Sequence, residues 1–405
     1  MTKLIVAAAL ILSILAGVAF WAYTSHSMPT EQTGPTELTY WGFEEEIEVL
    51  PIIDEYQKLN SEIKISYSRQ GLSNYKARVQ TQIENKTGPD IFKIHNSWLP
   101  LFLDSLSPAP KEVFTTGVYQ QEFSQIAYDS FVKDDQILAV PSIVDGLALY
   151  VNTDITQAAG VGIPKSWDEF ISGAVKITVK DTGGQIKTAG AALGTASNVD
   201  FWSDIIGLLL LQQPGVDLNN LSSPQVSEVL SFYTSFITDP RKKTWDTNLP
   251  SSTQLFTAGQ LAFYFAPSSL VAQIKQMSPN LKFQVAAVPQ LPGRQIGWGS
   301  FWGEAVSRNS HQKEAWKFAK FLAEKDLGKQ ALLSTDPLYG PFISQGAIYK
   351  FWYLSSIEDG GINDEEVSLW QTGITQVLAG QSPQVVIQDL APKSKKILEK
   401  YNVVK

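Results

Sequence analysis

Eleven tryptophans and 40 acidic side chains, set against three histidines and no cysteine, limit the chemistry this 405-residue chain can offer. Without cysteine there is no disulfide, no thiolate metal site, no cysteine nucleophile and no lipid carried on a cysteine. His26, His95 and His311 are far apart and form no His-x-x-x-His pair, so no transition-metal site is expected. No phosphate loop occurs. Gly299-Ser300-Phe-Trp-Gly303 has the wrong spacing for a nucleophile elbow, which needs one residue between the serine and each glycine. No catalytic residue and no cofactor is therefore assigned. Two carboxylates across a cleft would suffice for glycoside hydrolysis, but no spacing in the chain identifies such a pair.

What remains is binding chemistry. A sugar has apolar ring faces edged by hydroxyls, so its site combines flat aromatic surfaces with acids and amides. In open α/β sheets ligands sit beyond the carboxyl ends of the strands, which singles out the loops starting at Trp41, Gln70 and His95. The candidates are Trp41, Glu44, Asn74, His95, Asn96, Asp145, Trp202, Trp298 and Trp302, with Trp98 also at a strand end. Each has a plainer reading. A tryptophan usually packs in a core, and that reading leads for Trp167 and Trp316 on helices. Glu44-Glu45-Glu46 suits a helix N-terminus, His95 can bond locally, Asn96 suits a turn, and Asp145 could cap a strand end at a hinge.

The elements that must position these residues alternate. Glu37–Trp41 reads as a strand, 44–60 as a helix with Pro51 in its first turn, and Ile63, Ile65 and Tyr67 as a half-buried strand. Tyr75, Val79 and Ile83 mark a helix face, and Asp90–Ile94 a third strand. This succession predicts a parallel α/β sheet. Further on, Ile137–Val140 is another strand. Leu147–Val151 is long enough to cross between domains, and Ser166-Trp-Asp-Glu169 is a capping box. Helices are expected over 201–211, 226–236 and 315–322.

Formal net charge is −8, so neither nucleic acid nor anionic lipid is an expected partner. Leu4–Tyr23 is apolar apart from Ser13 and Gly17, with Lys3 before it and no Lys or Arg after it until Lys58. Its length matches a membrane span of about 20 residues better than the roughly 7–15 of a cleaved signal core. Residues 1–24 are thus expected to be a membrane anchor or uncleaved signal and 25–36 a linker, with the body exported.

Several local patterns resemble one family, the extracytoplasmic solute-binding proteins of ABC importers that include maltodextrin-binding protein. They are Tyr40-Trp-Gly, Gly88-Pro-Asp-Ile, Ala139-Val-Pro141 followed by Leu149-Tyr-Val-Asn152, and Ile163-Pro-Lys-Ser-Trp-Asp-Glu169. Phe256-Thr-Ala-Gly-Gln-Leu-Ala-Phe263, Gly297-Trp-Gly299 and Lys313-Glu-Ala-Trp-Lys-Phe318 follow in family order. The resemblance implies a two-lobe, type II periplasmic-binding-protein-like α/β fold with a hinge and an interdomain ligand cleft. Lobe one would comprise 37–144 plus 298–334, and lobe two 145–297 plus 335–405. It also implies a monomeric, non-catalytic carbohydrate-binding subunit working with ABC permease subunits, and adds Tyr339 to the site while favouring Asp145 and Trp202. An anchored glycan-active hydrolase and a surface solute sensor without a transporter are the alternatives. Many family members carry a lipid-bearing cysteine, and this chain has none.

Overall fold

The structure is a computed structural model that describes residues 35–404. The expected anchor, and all but the last two residues of the expected linker, lie outside the described residues. Among the described residues no helix is long and apolar enough to cross a membrane.

Two five-stranded mixed sheets organise the chain. In the first, β1 (Thr36–Gly42) runs parallel to β2 (Ile63–Arg69) and to β3 (Ile91–His95). The strand Trp302–Val306 lies antiparallel between β3 and Ala139–Pro141. Every residue of β3 is buried, as expected of a strand covered on both faces. The helix Tyr75–Glu84 covers one face with Tyr75, Val79 and Ile83, the residues its spacing selects.

The second sheet runs Phe283–Ala286, Ala148–Asn152, Leu261–Ala266, Ile186–Ala191, Val179–Lys180. Each sheet has its own apolar core, and Leu101 packs against both. The C-terminal helices Ile362–Leu378 and Pro383–Lys400 join the second core through Trp370, Ile374, Leu390 and Leu398.

Three expectations are corrected in detail. Pro51 lies inside the helix Glu46–Leu59, beyond its first turn. There it costs the Ile47 carbonyl its helical donor, and because Ile47 is 83% exposed, water can supply one. The capping box is half made: Ser166 Oγ accepts from the Glu169 amide at 3.2 Å, but the Glu169 carboxylate accepts from the Lys165 amide and not from that of Ser166. Finally, Ala148–Asn152 stays within the second sheet, and residues 142–147 make the crossing.

That crossing is braced by two other segments. The Leu147 amide donates to the Trp298 carbonyl at 3.0 Å, and Gly297–Trp298 pairs in parallel with Tyr349–Lys350. The approach is close enough that a Cβ on Gly146 would sit 1.9 Å from the Trp298 carbonyl oxygen, so only glycine fits.

Candidate functional site

Between the two sheets lies a cavity of about 760 Å³. It opens beyond the carboxyl ends of β1 and β3, where the backbone turns and side chains converge. Four half-buried aromatics line it: Phe43, Phe201, Trp302 and Tyr339. Trp302 begins its strand directly opposite His95. The rings of Phe43, Trp98 and His95 meet it edge to face, with centroids 4.7, 5.0 and 5.2 Å away. Such contacts fix the indole while part of its surface still faces the cavity.

The carboxylates fall into two groups. At one end, Lys93 of β3 faces Glu304 across the strand pair and is 3% exposed. Its ammonium bonds Glu304, Glu44 at 2.8 Å and Ser142 Oγ at 3.0 Å. Burial alone would lower the Lys93 pKa, but the carboxylates of Glu304 and Glu44 outweigh it and hold the group charged. Burial likewise pushes Glu44 upward, yet Lys93 and the Phe43 and Glu44 amides bring its carboxyl below the usual range. Asp326, on the helix Gln312–Leu333, has no such partner. Burial, then repulsion from Glu304, raises it to about 7.

At the other end, beside the crossing segments, neutral donors hold the acids. Asp145 accepts from Ser268 Oγ at 2.7 Å, the Ser268 amide and the Gly146 amide. Asp204 accepts from the Trp298 indole at 2.7 Å and the Ser356 amide at 3.2 Å. Burial raises both to about 6, because these hydrogen bonds only partly offset the lost hydration.

Of the residues singled out by sequence, the structure brings Glu44, His95, Asp145, Trp298, Trp302 and Tyr339 to the cavity wall, but not Trp41, Asn74, Asn96 or Trp202. Trp41 alternates with Tyr40 on β1, and Tyr40 takes the cavity side. Asn74 is exposed, in a left-handed conformation at the start of the helix Tyr75–Glu84. Asn96 is buried, accepting from the Phe301 amide at 3.1 Å. Trp202 packs into the second core. Trp298 is 1% exposed, with its ring so close to Gly207 that a Cβ there would lie 2.2 Å away, which leaves no face for a ligand.

His95 bonds Ser97 Oγ at 2.8 Å and Ser300 Oγ at 3.1 Å, and burial draws its pKa down to about 3. It is a neutral ring with no carboxylate on its far nitrogen, so it lacks the third member that makes a serine–histidine pair nucleophilic.

Sequence reasoning missed Phe43, Lys93, Phe201, Asp204, Ser268, Glu304 and Asp326. Only the last belonged to a legible pattern. Leu322, Lys325, Asp326, Lys329 and Leu333 share one helix face, and that face borders the cavity.

Comparison with known families decides the class. The profile of the bacterial extracellular solute-binding proteins matches residues 51–347. The chain belongs to that family. Its members are substrate-binding proteins acting outside the cytoplasm, not enzymes. Proteins of Brucella abortus and Brucella suis described as binding proteins are 29% identical over 260 residues, a match spanning 62% of this chain and 62% of their length.

Among solved structures, the sugar-binding protein MalE of Xanthomonas citri aligns with TM-score 0.73 at 21% identity, covering 91% of this chain and 98% of that one. The cyclic alpha-maltosyl-1,6-maltose binding protein of Arthrobacter globiformis gives 0.73 at 18% identity, covering 91% and 100%. An ABC substrate-binding protein of Listeria monocytogenes in complex with cycloalternan gives 0.67 at 20% identity, covering 91% and 99%. These likenesses establish the two-lobe periplasmic-binding-protein-like fold.

Proposed function

We propose that this protein captures a carbohydrate in the cavity between its sheets and delivers it to the permease subunits of an ABC importer. The observation that carries the reading is the wall itself. Trp302, Phe43, Phe201 and Tyr339 offer apolar faces, while Glu44, Asp145 and the hydroxyls of Ser142, Ser268 and Ser300 offer acceptors and donors among them. The names of the solved relatives, which bind maltose-type sugars and cycloalternan, support the same class.

In this reading lobe one is 37–144 plus 298–334 and lobe two is 145–297 plus 335–405. The lobes close on the ligand about the crossing segments at Gly146, Trp298 and Tyr349. The ligand contacts are Glu44, Asp145, Trp302 and Tyr339, joined by Phe43 and Phe201. The N-terminal apolar segment tethers the protein outside the cell membrane.

Isothermal titration of the full-length protein against mono- and oligosaccharides tests the proposal. Binding by at least one sugar, lost in Trp302→Ala, is expected. Silence across the panel, with another class of solute binding in the cleft, overturns the carbohydrate reading.

A further inference from the structure

The lysine deepest in the cavity has no donor left for a ligand. An ammonium has three hydrogens, and those of Lys93 are taken by Glu304, Glu44 and Ser142. Its pairing with Glu304 is set by the register of two adjacent strands, with 3% and 1% of the two side chains exposed. Glu44 is pinned between Lys93 and the Phe43 amide, yet its side chain is 33% exposed and borders the cavity. Asp326 lies on the same wall with no hydrogen bond or ion pair among the described residues. One ammonium thus serves a neighbourhood of three carboxylates. The other wall lysines do not change this balance. Lys325 is bonded to Glu55 at 2.6 Å, and Lys329 is an exposed residue one turn further along the helix.

We propose that Lys93 is a positioning residue that holds the Glu44 carboxylate toward the ligand, and that this end of the cavity takes uncharged or cationic sugar groups and rejects anionic ones. The proposal rests on the carbohydrate reading. A ligand hydroxyl or ammonium reaching Glu44 meets an oriented acceptor. A uronate or phosphate reaching it meets like charge that the saturated lysine does not relieve.

The test uses the full-length protein, titrated with maltotetraose, tetraglucosamine and tetragalacturonate, together with carboxyl-resolved NMR of Glu44 without ligand. A neutral or amino tetrasaccharide is expected to bind at least tenfold more tightly than the uronate. In the charge-balanced double variant Lys93→Met/Glu304→Met, the Glu44 pKa should rise and that sugar's affinity should fall about tenfold. Lys93→Arg should restore part of both. Uronate binding as tight as that of the neutral sugar, particularly if lost in Lys329→Met, overturns the proposal while leaving carbohydrate capture intact. So does a double variant whose Glu44 titration and sugar affinity match the parent. If no tetrasaccharide binds while Glu44 still shifts in the double variant, the carbohydrate reading and the ligand preference fall, and the positioning of Glu44 stands.

Discussion

The two ends of the cavity keep carboxylates out of water by different means. Around Lys93 an ammonium does it, and Glu44 ionises below the usual range. Beside the crossing segments, hydroxyl, amide and indole donors do it, and Asp145 and Asp204 rise to about 6. A charged partner fixes ionisation as well as position. Neutral donors fix position and leave ionisation sensitive to pH.

Breaking the ionic end should have the largest effect. Lys93→Met leaves Glu304 charged and nearly fully buried, and a loss of about 3–5 kcal/mol in urea denaturation is expected. Adding Glu304→Met should recover most of it. A single variant as stable as the parent would show that the end is not held by charge.

The neutral end should show itself in pH dependence. The Asp204 pKa is raised in the folded state, so its protonation favours folding. That contribution is complete below its ordinary value of 3.8 and is lost as pH rises through about 6. The swing is about 3 kcal/mol for a shift of roughly two units. Asp204→Asn should flatten the slope of stability between pH 4 and 7, measured by urea titration, whereas Glu44→Gln should not.

A smaller effect is expected from the aromatic wall shared by both ends. Trp302→Ala should weaken carbohydrate binding by about 2 kcal/mol, roughly thirtyfold, read by calorimetry. The smallest comes from Ser268→Ala. Losing one hydroxyl donor to Asp145 should cost about 1 kcal/mol and move the Asp145 titration upward, visible by carboxyl NMR.

The first sheet was legible because its strands and helices show their faces in short windows. Tyr75, Val79 and Ile83 reveal a helix by spacing alone. Glu44, Asp145 and Trp302 could be picked out because they follow strand ends. Lys93 could not, since it reads as one polar residue in an apolar strand until β3 is set beside Trp302–Val306. Trp298 illustrates the opposite failure. Its strand-end position suggested a ligand platform, but Gly207 lets a helix approach closely enough to take the ring. Asp326 sits in a stretch whose lysines and acids resemble an ordinary solvated helix face, and only the fold places part of that face against a cavity.

The position of Trp302–Val306 inside the first sheet also bears on how the chain is made. It separates β3 from Ala139–Pro141, so the sheet cannot be completed until about 160 residues after Pro141 have followed it out of the ribosome. An N-terminal portion that must wait for a late strand stays uncommitted during synthesis. For a protein destined to work outside the cytoplasm, that delay keeps the chain threadable while it still has a membrane to cross.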